Sequence, residues 1–371
     1  MSVHDEVIVA GVLNDADYIG RLFGDLEVMQ GSDPSGVIPF CTAPYVALFI
    51  YEARRKPQHI DPSAFANLSV EAERICANSR HSLKLFEDTK RKIDGLLDHF
   101  LKEIWAKHSR YFLGNTWFPP ARLIETDLGI YGYGGRVVST THSAAFHLGI
   151  EAEHLFGNDG GAYIRRIMSE FGQCFGALGA DLRSPGTRTF VASLSGAELN
   201  SSDVRAHRYY GRVFNRRATP GMNGLLSDFR TRMNFVDSIV VAGSDVLDLE
   251  YTVFKMRYIA LYQVLSSLNV LKRDVFHYSR LSPDSMAHVE RIVGTPEAEV
   301  LLARQVRGFR NTLMHYNLLG DVDTDKVDLS APLFGLVSNY FPDHDYRSLS
   351  EIVDRAIKKT SVELNVWADD S

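Results

Sequence analysis

The sequence has little cysteine. Its 371 residues include only Cys41, Cys76 and Cys174. These three are widely spaced, odd in number and never arranged as a C-x-x-C pair, which argues against a disulfide framework and against a cysteine-based zinc site. We therefore expect a protein of the reducing cytoplasm.

The chain also lacks a secretory signal, a long apolar run and an excess of positive charge. Its first residues, MSVHDEVIVAGVLNDADY, carry acidic side chains where a signal peptide needs basic ones, and no segment approaches eighteen uninterrupted apolar residues. The net charge is −6 and the pI is about 6.1, so nothing attracts the whole chain to nucleic acid or to anionic membranes. We expect neither export nor a membrane span, and any nucleic-acid binding must come from a local basic patch.

What is present is an ordinary globular composition, with 45% hydrophobic and 23% charged residues. Repeats, heptad runs and low-complexity tracts are absent from the sequence. Apolar residues spaced three and four apart predict two helices within residues 62–108 and further helices with long connections in the middle of the chain. The first 60 residues fit either short strands or the ends of buried helices, and TFVASL fits a further strand.

Beyond residue 224 the helical periodicity is clearer, and successive segments predict a helical bundle. The sequence therefore predicts a mainly α protein in two parts. Residues 1–224 form an α-rich region of unknown role that carries a few short strands, and residues 225–371 form the bundle. Within the bundle, residues 295–318 predict one helix, which Thr295 caps and Pro296 begins.

The later half of that helix, VRGFRNTLMHYNL, combines a core stripe with unusual polar residues. At about 100° per residue, the apolar stripe spans about 60° and consists of Leu302, Val306, Phe309 and Leu313. Asn311 and His315 lie together on roughly the opposite side, whereas Arg310 projects from a flank about 140° from His315. A solvated polar face is the alternative interpretation. The bare R-x-x-x-x-H spacing is weak, because Arg54 and His59 share it, but that pair has neither the following Asn nor a clean helix.

Arg310-Asn311-x-x-x-His315 on a late helix of a C-terminal bundle resembles the R-x(4-6)-H motif of HEPN domains, in which a polar residue commonly follows the Arg. The resemblance covers roughly residues 225–371. It implies a bundle that usually forms a homodimer and brings two copies of the motif into a cleft that cuts RNA without a metal or cofactor. It also implies a role in prokaryotic defence or toxin systems, with an antitoxin or defence partner protein. Tyr316 directly follows the His, whereas some toxin-type members have R-x4-H-x-Tyr.

The residue types suit this chemistry independently of the family. RNA supplies its own nucleophile, the 2′-hydroxyl, so the protein needs only proton transfer and charge stabilisation. Histidine suits the first task and a guanidinium suits the second. We assign proton transfer to His315, stabilisation of the phosphorane charge to Arg310, and orientation of the histidine or phosphate to Asn311. The expected product is a 2′,3′-cyclic phosphate. Because Arg310 and His315 lie far apart around one helix, we expect two antiparallel chains to share the site, or Arg307 or Arg304 to serve within one chain.

A second segment, RAHRYYGRVFNRR at residues 205–217, interleaves basic and aromatic side chains. Guanidinium groups hold phosphates and aromatic rings stack on unpaired bases, so the segment predicts an RNA-binding loop. The alternative is a solvated linker. The predicted RNA-binding residues are Arg205, Arg208, Tyr209, Tyr210, Arg212, Arg216 and Arg217.

Two weaker patterns favour structural roles. His147, Glu151 and His154 recur at helical spacing with His142 nearby and could share a metal, but an amphipathic helix with exposed polar residues is favoured, and we predict no metal site. The stretch GIYGYGG lacks the residues of a phosphate loop, so we predict a turn. The sequence as a whole predicts a metal-independent endoribonuclease. A noncatalytic RNA or nucleotide sensor and a protein-interaction scaffold are the alternatives.

Overall fold

The computed structural model shows a mainly α-helical protein with one three-stranded sheet. The structure describes residues 2–28, 34–87, 91–114, 120, 126–156, 160–180, 186–214, 219–240, 250–318 and 322–369.

The two apolar segments of the first 60 residues, whose periodicity fitted either strands or the ends of helices, are helical. The early helices of the chain are α1 (Val3–Val28), α2 (Pro34–Ala53), α3 (Val70–Glu87), α4 (Lys92–His99) and α5 (Ala106–Gly114), with a π-helical segment, Phe100–Trp105, joining the last two. The strand expected at TFVASL is instead a 3-10 turn, Phe190–Ser193. The helices expected within residues 62–108 are confirmed.

The strands lie at positions other than the predicted ones. Strands β1 (Leu128–Tyr133) and β2 (Arg136–Thr140) form a hairpin, and β3 (Leu199–Val204) pairs antiparallel with the other edge of β1. The turn predicted at GIYGYGG is confirmed only for its last two residues, Gly134 and Gly135, which form the hairpin turn with φ values of 56° and 76°, whereas the preceding five residues lie in β1. This left-handed backbone favours glycine, because a Cβ atom would clash there. Between β2 and β3 the chain forms α6 (Thr141–Leu148), α7 (Ala152–Phe156) and α8 (Gly160–Gly176). After β3 it forms α9 (Ala206–Tyr210).

The C-terminal bundle is confirmed as helical. Its helices are α10 (Pro220–Phe235), α11 (Glu250–Arg273), α12 (Val275–Tyr278), α13 (Pro283–Val293), α14 (Pro296–Leu302), α15 (Arg307–His315), α16 (Val337–Tyr340) and α17 (Tyr346–Asp369). The predicted division after residue 224 falls inside α10, which begins where the Thr219 hydroxyl accepts a hydrogen bond from the Met222 amide. Thr219 and Pro220 begin α10 in the same way as Thr295 and Pro296 begin α14.

The two predicted parts share one hydrophobic core. Apolar side chains from α1, α2 and α8 and from α10, α11 and α17 belong to a single buried cluster. Helix α2 supplies the most apolar stretch, Gly36–Ala53, which has the length and composition of a membrane span but is 83% buried inside the protein. Within the described residues it is the one such helix. Its burial is that of a core helix, and the division of the chain after residue 224 stays a prediction.

Candidate active site

The helix predicted over residues 295–318 is broken in two. The Thr295 hydroxyl caps α14 as expected, accepting from the Ala298 amide at 3.1 Å. Ala303 then leaves the helical conformation with φ −57° and ψ 145°, and one 3-10 turn, Arg304–Val306, leads into α15. The motif therefore sits on a separate short helix whose direction is set by its own contacts.

Three of the four residues in the predicted core stripe are buried beside or on α15, whereas Leu302 ends α14 across the break and is half-buried. Phe309 is fully buried, with its ring centroid 5.1 Å from that of Tyr258 and 5.2 Å from that of Phe341. Val306 and Leu313 are buried beside it. These contacts hold α15 against α11 and fix which way its polar residues project.

Arg310 points into the protein. Only 5% of the residue is exposed, its Nη1 lies 3.4 Å from the sulfur of Met314, and its guanidinium carbon lies 5.3 Å from the ring centroid of Tyr262 on α11. The flank that carries Arg310 packs against α11, so in this conformation a phosphate in solvent does not meet the guanidinium. This placement does not favour the role expected for Arg310, which stays a prediction.

His315 lies on the other side, against α2. Its Nδ1 atom is 3.0 Å from the carboxylate of Glu52, and its side chain is 19% exposed. Glu52 in turn lies 3.0 Å from the Nε atom of Arg80 on α3 and is itself almost fully buried. Asn311, one turn before the histidine, is half-buried. The carboxylate therefore fixes the orientation of the imidazole, a partner that no local pattern predicted.

Two other cations contact the segment after His315 or lie on the same helix face as His315. The Lys56 ammonium donates to the side-chain oxygen of Asn317, two residues after His315, at 2.5 Å. Burial lowers the pKa of Lys56. Arg307 begins α15 and is exposed, and it shares one helix face with Asn311 and His315 because the three residues are spaced four apart.

A buried charged cluster anchors the end of α15. The Lys255 ammonium lies 2.5 Å from the Asp15 carboxylate, and neither side chain has any exposed surface. Asp15 also accepts from Tyr316 and Thr252. The rings of Phe49 and Tyr316 lie 4.1 Å and 3.8 Å from the ammonium. A lysine inside the apolar run VFKMRYIALY is a signal for such a cluster, but the sequence does not reveal its partner.

Residues 205–217 are only partly available to RNA. Arg208 and Arg212 are exposed, and Arg205 and Tyr209 are half-buried. Tyr210 is 1% exposed, and its hydroxyl lies 3.1 Å from Nδ1 of His142. Base stacking on Tyr210 is therefore excluded in this conformation, because its ring is part of the core. Arg216 and Arg217 lie outside the described residues.

His147, Glu151 and His154 diverge instead of lying on one exposed face. Helix α6 ends at Gly149, whose left-handed φ of 62° closes it, so the expected helical spacing stops after His147. His147 is buried with its Nε2 atom 3.0 Å from Asp228, whereas Glu151 lies near Lys107 and His154 near Glu71. Across the residues that the structure describes, no three metal-binding side chains gather. The expectation that His147 is exposed was wrong.

The arrangement at His315 can transfer a proton. It combines a partly exposed imidazole with a buried carboxylate that orients it, and the exposed Arg307 lies on the same helix face. These are the groups that general acid–base catalysis on a phosphodiester needs. Comparisons of this chain with protein families, with curated proteins and with solved structures gave no match. Function must therefore be inferred from the residues themselves.

Proposed function

We propose that the protein is a metal-independent endoribonuclease in which His315 transfers the proton. One observation carries the proposal: the His315 imidazole is partly exposed and held through Nδ1 by the buried carboxylate of Glu52. A histidine bound in this way keeps one ring nitrogen for a substrate and is fixed in orientation, as proton transfer requires. The sequence motif around His315, on a helical bundle, supports a HEPN-like classification of residues 225–371.

The reaction needs only groups that the chain and the RNA supply. The imidazole takes the proton of the 2′-hydroxyl, and the 2′-oxygen forms a bond to the adjacent phosphorus. The bond from phosphorus to the 5′-oxygen then breaks, and that oxygen takes a proton from imidazolium or water. The products are a 2′,3′-cyclic phosphate and a free 5′-hydroxyl. Glu52 is a positioning residue in this scheme, because it contacts the histidine and not the RNA.

We assign the phosphate charge to Lys56 and Arg307 in place of Arg310. Arg307 is exposed and Lys56 is half-buried beside Asn317, whereas the Arg310 guanidinium packs against α11. An ammonium or guanidinium that faces the scissile phosphate stabilises the negative charge of the transition state. A site shared between two chains needs Arg310 at the surface, so the geometry favours a site within one chain. Asn311, between Arg307 and His315, is assigned contact with phosphate.

The test is cleavage of mixed RNA in EDTA by the wild type and by His315→Ala and Glu52→Gln variants. We expect His315→Ala to reduce the cleavage rate by about 10²- to 10⁴-fold, the usual contribution of a general acid–base group. Glu52→Gln should lower the rate while leaving the affinity for a 2′-O-methyl RNA unchanged, because only the orientation of the imidazole is lost. End-group analysis should find 2′,3′-cyclic phosphate.

The matched control is His344→Ala, since His344 is also half-buried but lies in the connection before α17. It should cut RNA at the wild-type rate. Equal cleavage by His315→Ala, or cleavage that requires added divalent metal, would contradict the proposal. Binding without cutting by the wild type would instead favour the noncatalytic RNA or nucleotide sensor.

A further inference from the structure

A surface groove lies where the end of α2 meets the first turns of α3. It encloses about 560 Å³, within the range of pockets that hold small ligands. Its floor is apolar, and its polar walls come from Tyr51, Arg54 and Arg55 on one side and Glu73 and Arg74 on the other. The three arginines are exposed.

The groove is positively charged in a protein that carries a net charge of −6. The negative charge of Glu73 balances the positive charge of Arg54, and 2.9 Å separates the two charged groups. Arg55 lies over the ring of Tyr51, with the guanidinium carbon 5.5 Å from the ring centroid, and donates to the Tyr51 hydroxyl at 3.1 Å. Exposed guanidinium groups beside a half-buried aromatic ring are the combination that binds single-stranded nucleic acid, since phosphates meet the cations and bases stack on the ring.

The groove and the proposed site are built on the same two helices, α2 and α3. Tyr51 lines the groove, and the next residue of α2 is Glu52, whose carboxylate contacts His315 and Arg80. Helix α3 likewise provides Arg74 to the groove and Arg80 to Glu52. A strand bound in the groove would therefore lie on the same two helices that hold the Glu52–His315 pair.

We propose that this groove binds single-stranded RNA, with phosphates at Arg55 and Arg74 and a base stacked on Tyr51. That the groove binds the substrate of the ribonuclease rests on the proposed function. That the groove binds RNA at all rests only on the charge and shape of the groove. The groove lies in the N-terminal region, outside the RNA-binding segment that the sequence predicts at residues 205–217.

The test measures binding, separately from cleavage. A fluorescent 2′-O-methyl RNA of about ten nucleotides cannot be cut by the 2′-hydroxyl route, and its affinity for the full-length His315→Ala protein is measured by anisotropy at several salt concentrations. Adding Arg55→Ala and Arg74→Ala should weaken binding and reduce the slope of log K against log salt by about 1.4, since each phosphate contact on a single strand contributes about 0.7. Tyr51→Ala should weaken binding by about 5- to 100-fold, and Tyr51→Phe should retain it.

The control pair is Arg347→Ala with Arg355→Ala, because both side chains are exposed on α17. It should leave the affinity and the salt slope unchanged. The groove assignment is overturned if the Arg55 and Arg74 variant binds like its parent while circular dichroism shows a normal fold. It is also overturned if an acidic peptide of equal charge competes as well as the RNA. If the groove variants weaken binding but the wild type leaves unmodified RNA intact, only the ribonuclease proposal fails.

Discussion

At the scale of single residues, the feature whose burial costs most free energy is a lysine with no exposed surface. Lys255 and Asp15 neutralise each other in the core, and burial lowers the pKa of Lys255 while Asp15 opposes that shift. Taking two charges out of water costs free energy that the pair recovers only if every remaining polar atom is satisfied. Tyr316 and Thr252 supply the additional donors to Asp15.

We predict that Lys255→Met lowers the free energy of unfolding by about 3–5 kcal/mol, because it leaves the Asp15 carboxylate buried without its countercharge. Urea denaturation followed by circular dichroism measures the change. Adding Asp15→Asn should recover a large part of the loss, since the charge is then removed as well. A double variant less stable than Lys255→Met would show that the pair itself does not determine the cost.

The cluster also explains how His315 is presented. Tyr316, the next residue, ends α15 with a left-handed φ of 48°, and its hydroxyl donates to Asp15. A non-glycine residue in this region is strained by about 1–3 kcal/mol and persists only where surrounding contacts enforce it. The buried charges thus hold the chain at the point where the histidine meets Glu52.

At the scale of elements, α15 lies between α2 and α11, and two of its three predicted catalytic side chains face different neighbours. Phe309 and Arg310 contact α11, whereas His315 contacts α2. A nine-residue helix has little stability of its own, so these contacts decide its orientation. A change in Arg310 should accordingly affect packing before chemistry.

We predict that Arg310→Met retains cleavage within a few fold of the wild type, because methionine fills a similar volume beside Met314 and Tyr262. Arg310→Ala should lose about 2 kcal/mol or more of stability, because it leaves a cavity in that contact. Initial cleavage rates and urea denaturation measure the two effects.

One outcome of these measurements would instead support an active site that two chains share. If Arg310→Met is stable but inactive, and mixing it with His315→Ala after joint refolding recovers activity, then two chains contribute to each active centre. Inactivity without complementation would indicate that Arg310 acts on the histidine of its own chain through a conformation other than the one described.

At the scale of the whole molecule, several histidines are buried in the neutral form. Burial lowers the pKa of His108 from 6.5 to about 4, and it lowers the pKa of His142 in the same direction. The two rings lie 4.6 Å apart between their centroids. Since the folded pKa is below the unfolded one, the unfolded chain binds more protons between these values, and stability falls as the pH falls through this window.

We predict that lowering the pH from 7.5 to 5 costs about 2 kcal/mol of stability through His108 alone, from a shift of about 1.4 kcal/mol per pKa unit. Urea denaturation at a series of pH values should show a shallower pH dependence for His108→Asn than for the wild type. The matched variant is His207→Asn, whose side chain is exposed and should leave the pH dependence unchanged. Equal slopes for His108→Asn and the wild type would refute this account.

The sequence by itself determined the features that depend on neighbouring residues. The mainly α composition, the cap at Thr295, the buried stripe of α15 and the turn at Gly134 and Gly135 all follow from spacing or from local backbone preference. The cap at Thr219 was equally readable from its Thr-Pro pair. Such features form within a few residues of one another, so the sequence around them contains the necessary information.

Only the tertiary structure decided which polar groups meet. The pairing of β3 with β1 joins residues about seventy positions apart, Glu52 meets His315 across most of the chain, and Lys255 finds its partner at residue 15. The same packing turned Arg310 inward and buried His147, which helical periodicity left on a flanking face and an exposed face, and it buried Tyr210, which the sequence predicts in a binding loop. The physical reason is that a polar side chain's surroundings are set by the elements that pack against it, and that packing depends on distant residues whose approach no local spacing encodes.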